Sequence, residues 1–204
     1  MDIAKLLPVA KVVSGILNPF MIPFFGFLIL FLFTYLRILP FQYKMILLIL
    51  VYCFTVLMPV ISIYLLRKIA GWESIEGNGR KSRILAYLLV LIAYAFCLGL
   101  MYRMNIPSYM CGIILGALIA MFISIILSFK WHISIHMVGI GGIVGSLIAF
   151  SQLFYYNPVL WLSIAIILAG LLGTARMMLA KHTLVHILLG FIVGFLSAVT
   201  GILY

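Results

Sequence analysis

The four histidines of the chain form two pairs with the same spacing. His132 and His136 make one H-x-x-x-H pair, and His182 and His186 make the other. Residues four positions apart lie on the same side of a helix, so each pair can act together. Side chains of this type and spacing suit either a metal site or a site for an anionic group.

Two such pairs on neighbouring helices could supply nitrogen ligands to a transition metal. The acidic ligands common in metal sites are missing nearby, whereas Arg176 and Lys181 stand beside the second pair. Two fixed positive charges would repel a divalent cation. A plainer interpretation is that the histidines lie at the membrane interface and bond only to backbone or lipid headgroups.

A phosphate group suits these residues better than a metal ion does. A neutral imidazole can attack phosphorus, and a protonated one can donate to the leaving oxygen. Guanidinium and ammonium groups stabilise the negative charge on the phosphoryl oxygens. This chemistry requires no metal or other cofactor, and we expect none.

Two stretches resemble signatures of the type-2 phosphatidic acid phosphatase superfamily. ARMMLAKHTLVH is similar to the third signature, S-R-x5-H-x3-D, with Arg176, His182 and His186 on its R, H and D positions. ISIHMVG resembles the second signature, P-S-G-H, through Ser134 and His136. The resemblance covers roughly residues 80–200 and implies an integral-membrane lipid phosphatase.

The resemblance also implies a role for each matching residue. His182 would be the nucleophile that forms a phosphohistidine, and His136 would be the acid that protonates the leaving alcohol. Arg176 and Ser134, with the backbone N–H groups beside Ser134, would hold the phosphate. His186 stands where the family has an aspartate that orients the nucleophile. The substitution leaves open a slow or divergent phosphatase and a non-catalytic lipid-phosphate binder or carrier.

The first signature of the superfamily, K-x6-R-P, is not present in the chain. The segment GRKSRILAY offers Arg80, Lys81 and Arg83 in its place, at the start of a hydrophobic stretch. We expect these three cations to contribute to phosphate binding.

The composition determines which elements must position these residues. Hydrophobic residues make up 67% of the 204 residues, charged residues 8%, and the mean hydropathy is +1.37. A soluble domain carries roughly 25% charged residues, so the chain is predicted to be a polytopic membrane protein. Apolar runs of about twenty residues indicate helices rather than barrel strands. The expected fold is an all-α transmembrane bundle of six to seven spans.

Residues 1–18 are mildly amphipathic and predict an interfacial helix, followed by one transmembrane domain over 19–204. The boundaries predicted for the apolar stretches are Pro19–Ile38, Met45–Leu66, Ile84–Tyr102, Tyr109–Phe129, Met137–Phe154, Val159–Gly173 and His186–Tyr204. The connections after the second, fourth and sixth stretches then share one face. All three polar segments described above lie in or beside these connections, so we expect them to meet at one end of the bundle.

The basic residues are distributed unevenly between the two faces. Ten lie on the face that carries the polar segments and three on the opposite face. The positive-inside rule would make the ten-residue face cytoplasmic, although a phosphate site would concentrate the same residues there. We expect an integral protein of a bacterial inner (cytoplasmic) membrane. Its partners would be the bilayer and a lipid-phosphate substrate, with no nucleic acid. The sequence does not indicate an oligomeric state.

Overall fold

A computed structural model describes residues 19–33, 38–70, 79–131, 133–179 and 183–204. Most of the described residues are helical, and none of them forms a strand. The helices are α1 (Ile22–Phe33), α2 (Phe41–Tyr52), α3 (Met58–Ala70), α4 (Gly79–Arg103), α5 (Ser108–Ser128), α6 (Ile135–Phe154), α7 (Val159–Met178) and α8 (Leu184–Leu203). The predicted interfacial helix over 1–18 lies outside the described residues.

Six segments among the described residues are long and apolar enough to cross a membrane. They are Phe41–Leu65, Ile84–Arg103, Ser108–Ser128, Ile135–Phe154, Val159–Met178 and Leu184–Leu203. The first of them runs from α2 into α3 through a π-helical turn over Cys53–Leu57. The all-α polytopic fold predicted from composition is therefore confirmed.

Only part of the span predicted over Pro19–Ile38 lies among the described residues. A 3₁₀ turn occupies Pro19–Met21, and α1 then contains 12 described residues. At 1.5 Å per residue this part is about 18 Å long, compared with the ~30 Å hydrocarbon core. Residues 34–37 of the predicted span lie outside the described residues.

Helices α7 and α8 extend beyond the stretches predicted for them. The sixth stretch was expected to end at Gly173, but α7 continues to Met178 and takes in Arg176. The seventh was expected to begin at His186, but α8 begins at Leu184. The predicted ends of these two stretches depend on apolarity alone. A helix, however, continues through a polar residue as long as its backbone hydrogen bonds continue.

Glycines hold α8 against two neighbouring helices. A Cβ added to Gly194 would collide with the backbone carbonyl of Val138 in α6, and one added to Gly201 would collide with Gly116 in α5. Close approach of this kind needs residues without side chains. Along the contact between α6 and α8, residue numbers increase in the same direction in both helices, so these two helices run parallel. Along the contact between α5 and α8, residue numbers increase in opposite directions, so these two helices run antiparallel.

Candidate functional site

Three helix ends meet at one end of the bundle, which we call the site end. It consists of the first turns of α6 and α8 and the last turn of α7. A Cβ on Gly190 of α8 would lie 2.8 Å from the carbonyl oxygen of Ser134, and one on Gly173 of α7 would lie 3.5 Å from Ile187. Met137, Leu172 and Ile187, one from each helix, belong to one buried cluster. The described parts of the two polar segments, which contain Ser134, His136, Arg176 and His186, thus converge as predicted.

Ser134 is the N-cap residue of α6 and is fully buried. Its carbonyl oxygen accepts hydrogen bonds from the N–H groups of Met137 and Val138 at 3.0 and 3.1 Å. A serine at this position usually also accepts a backbone N–H with its side chain. Here the hydroxyl makes no capping bond, and Oγ has no hydrogen-bond partner among the described residues. A buried hydroxyl without a hydrogen-bond partner lowers the stability of the fold, so its presence requires an explanation.

Arg176 lies in the last turn of α7 and is only 8% exposed. It follows Ala169 and Leu172 on the helix face that packs against α6 and α8. The hydroxyl of Tyr87 in α4 is close enough to interact electrostatically with its guanidinium. Burying a charged arginine in a membrane helix costs free energy, and such a residue usually marks a functional position. Since the described residues contain no aspartate or glutamate, the fixed charge of the site is positive.

His136 and His186 both lie in first turns at the site end and are both partly buried. His186 Nδ1 is 2.9 Å from Thr183 Oγ1, a hydrogen bond between the N-cap residue of α8 and the residue three positions later. When Nδ1–H donates to the threonine, Nε2 keeps its lone pair and can accept a hydrogen bond. The threonine hydroxyl can also donate to Nδ1 in the other tautomer, so the bond orients the His186 ring in either case.

The backbone adds to the positive character of the site end. Helices α6 and α8 run parallel and both begin there, so their unpaired N–H groups and the positive ends of their dipoles point the same way. Helix N-termini are favourable positions for phosphate groups. Two of them beside Arg176 make an environment that stabilises an anion.

Several predicted site residues are not placed by the structure. His182, the predicted nucleophile, lies outside the described residues, as do Lys181 and His132. Arg80, Lys81 and Arg83 lie in the first turns of α4, but their side chains are also outside the described part. Tyr87 follows Arg83 by one helical turn, and its electrostatic interaction with Arg176 brings that turn of α4 towards α7.

The metal interpretation depends on the residues that are not described. Within the described residues, no three His, Cys, Asp or Glu side chains group closely enough to hold a metal ion. This observation covers His136 and His186 but neither His132 nor His182.

Two residues at the site were missed by the sequence interpretation. Thr183 contacts His186, and the T-x-x-H spacing at a helix start could have indicated it. Tyr87 approaches Arg176 across two helices, and no local pattern in the sequence signals that approach.

No family model matches the sequence, and no curated protein or solved structure is significantly similar to it.

Proposed function

We propose that the chain is an integral-membrane lipid phosphatase. It removes phosphate from a lipid phosphomonoester or pyrophosphate, such as phosphatidate, phosphatidylglycerophosphate or a polyprenyl pyrophosphate. The observation that carries the proposal is the buried Ser134 hydroxyl, which has no partner among the described residues and lies at the same bundle end as buried Arg176. A phosphate group would give the hydroxyl an acceptor and would complement the guanidinium charge.

The reaction proceeds in two displacements at phosphorus. His182 attacks the terminal phosphorus with an imidazole nitrogen, the P–O bond to the leaving group breaks, and His136 donates its proton to the leaving oxygen. That oxygen belongs to the lipid alcohol of a phosphomonoester or to the lipid monophosphate of a pyrophosphate. Water then attacks the phosphohistidine, with His136 as the base that takes its proton, and inorganic phosphate and free His182 are released. Arg176, Ser134 and the N–H groups at the start of α6 stabilise the phosphoryl oxygens during both steps.

The hydrogen bond between His186 and Thr183 suits a role for His186 in orienting the nucleophile. His186 occupies the position of the family aspartate but carries no negative charge in either protonation state. In the tautomer whose Nδ1–H donates to Thr183, its Nε2 can accept a hydrogen bond from His182 and orient that ring. The pair supplies orientation without the charge that an aspartate would add.

Phosphate release from purified protein tests the proposal directly. We expect detergent-solubilised protein to release inorganic phosphate from phosphatidate or polyprenyl pyrophosphate, and His182→Ala to abolish the release. His132→Ala is a matched control, because His132 is the histidine to which the mechanism gives no role. Retained activity in His182→Ala would refute the assigned nucleophile.

A non-catalytic lipid-phosphate carrier is the second candidate. The histidine at position 186 in place of the family acid favours it, because the cationic site end can bind phosphate without activating a nucleophile. Saturable lipid-phosphate binding with no release from any substrate in the panel would select the carrier over the phosphatase.

A further inference from the structure

Helix α4 begins on the same side of the bundle as α6 and α8. Its connection to α5 is short, and the N–H of Ile106 in that connection donates to the carbonyl oxygen of Met101 at 3.1 Å. The two helices contribute to one buried cluster, so they form an antiparallel pair. Because α5 also runs antiparallel to α8, helix α4 runs parallel to α8 and starts on the side where the site end lies.

The inward face of α4 includes Tyr87. The most buried residues of this helix are at most 3% exposed, namely Val90, Tyr94, Cys97 and Met101. Tyr87 precedes Val90 by three residues and Tyr94 by seven, so it lies on the same helix face. Its ring is partly buried and packs against the same core cluster. Tyr87 is therefore part of the inner wall of the bundle.

Tyr87 and Arg176 lie at nearly the same depth in the bundle. Tyr87 is three residues from the start of the span Ile84–Arg103, and Arg176 is two residues from the end of the span Val159–Met178. At 1.5 Å per residue, these positions are about 4.5 Å and about 3 Å inside the ends of their spans. The two side chains are therefore level, and they are close enough to interact electrostatically.

Ser134 also lies near this depth. A Cβ on Gly173 of α7 would lie 3.8 Å from the side chain of Met137 in α6. Arg176 follows Gly173 by three residues, and Ser134 precedes Met137 by three. Because α6 and α7 run antiparallel, both steps lead towards the site end. Arg176 thus has groups from two other helices near its own level, the Tyr87 phenol of α4 and the Ser134 hydroxyl of α6.

A phenol is a suitable partner for an arginine that also has to bind phosphate. An aspartate or glutamate would orient the guanidinium through a salt bridge, but its negative charge would repel the phosphate. A tyrosine oxygen accepts a hydrogen bond while the side chain stays uncharged at neutral pH. The guanidinium has five N–H donors, so one can bond to the phenol while others face the phosphate. The positive charge then remains available to the phosphate.

We propose that Tyr87 is a positioning residue of the phosphate site, whose phenol oxygen accepts a hydrogen bond from the Arg176 guanidinium and directs the remaining donors towards a phosphate at Ser134. The inference deepens the proposed function and rests on it for the phosphate site. Tyr87 touches no reacting atom and acts only through Arg176. Holding the arginine in place before the phosphate arrives reduces the entropy lost on binding.

Two tyrosines of α4 offer a matched pair of variants. Tyr87→Phe removes one oxygen atom and keeps the ring that packs against the core cluster. Tyr94→Phe makes the same change on the same helix face, two turns or about 10 Å further from the site end. A difference between the two variants therefore reports the position of the hydroxyl, and not the loss of a hydroxyl from α4.

Binding of inorganic phosphate measures the site independently of turnover. Orthophosphate is titrated with detergent-solubilised protein, and the dissociation constant is obtained from the broadening of its phosphorus NMR line. We expect Tyr87→Phe to weaken binding by about tenfold, because it removes one hydrogen bond to a charged group. Tyr94→Phe should bind phosphate as the wild type does. A dissociation constant of Tyr87→Phe within about twofold of the wild-type value would overturn the proposal.

A double-mutant cycle tests whether Tyr87 acts through Arg176. In the Arg176→Met background there is no guanidinium to hold, so Tyr87→Phe should cause no further loss of kcat/KM. In the wild-type background the same substitution should lower kcat/KM by about tenfold. An equal loss in both backgrounds would mean that the phenol acts without the arginine, and it would overturn the positioning role.

The outcomes separate this inference from the proposed function. Phosphate binding that depends on Tyr87, without phosphate release from any lipid, would refute the phosphatase but leave the positioning role intact. Phosphate release that Tyr87→Phe does not change would refute only the positioning role. Wild-type protein that neither binds nor releases phosphate would refute both.

Discussion

Replacing Arg176 with methionine should separate stability from function. The methionine keeps a similar length and fills the same space, but it removes the charge and the five N–H donors. Because Arg176 is 8% exposed on a helix face that packs into the bundle, the substitution places an apolar side chain in apolar surroundings. We therefore expect a more stable protein with a much weaker phosphate site.

The expected changes in stability and in kcat/KM follow from the surroundings of Arg176. Removing a charge from the interior of a membrane helix bundle is worth about 1–3 kcal/mol of stability when an apolar residue of similar volume replaces it. A bidentate guanidinium–phosphate contact consists of two charge-assisted hydrogen bonds, each worth about 1.5–3 kcal/mol. Loss of about 3–4 kcal/mol from the transition state lowers kcat/KM by a factor of roughly 200–1000.

Two measurements on the same preparations test this prediction. Reversible unfolding in mixed detergent micelles gives the free energy of unfolding, and phosphate release gives kcat/KM. Arg176→Lys is the control, because it keeps the charge and loses the bidentate geometry, so its activity should fall between the other two. If Arg176→Met releases phosphate within about threefold of the wild-type rate, the predicted loss of transition-state stabilisation is absent. A large loss of stability would instead identify Arg176 as a structural residue.

Three further predictions concern residues around the site and the packing that supports it. Thr183→Val should lower kcat about fivefold with KM unchanged, because it removes one hydrogen bond of ~1 kcal/mol to His186, and Thr183→Ser should restore it. His186→Asp should raise the rate of phosphate release by about tenfold or more, because the carboxylate stabilises the cationic nucleophile, and an unchanged or lower rate would contradict the assigned relay. Gly194→Ala should lower the free energy of unfolding by about 1–3 kcal/mol through its collision with Val138, whereas Gly170→Ala should change it by less than about 1 kcal/mol.

The sequence predicted the fold class well because a membrane imposes few choices on a backbone. Long apolar runs must form helices, and alternate connections must share a face. These two constraints alone predicted that Ser134, Arg176 and His186 would share one bundle end, as they do in the structure. The chemistry assigned to that end remains a prediction.

Other features do not follow from apolarity. The true ends of α7 and α8 depend on local backbone hydrogen bonds, which apolarity does not report. The approach of Tyr87 to Arg176 depends on the packing of two helices that are distant in the chain, and no local pattern in the sequence signals it.

The parallel backbone contact between α6 and α8 has a consequence for the geometry of the site end. Since the two helices touch through glycines and carbonyl groups, they cannot part without losing their closest packing. We therefore expect the first turns of α6 and α8, which carry His136 and His186, to keep their relative positions. The chemistry proposed for this end would then depend on groups whose spacing is set by backbone packing and not by side chains that must rearrange.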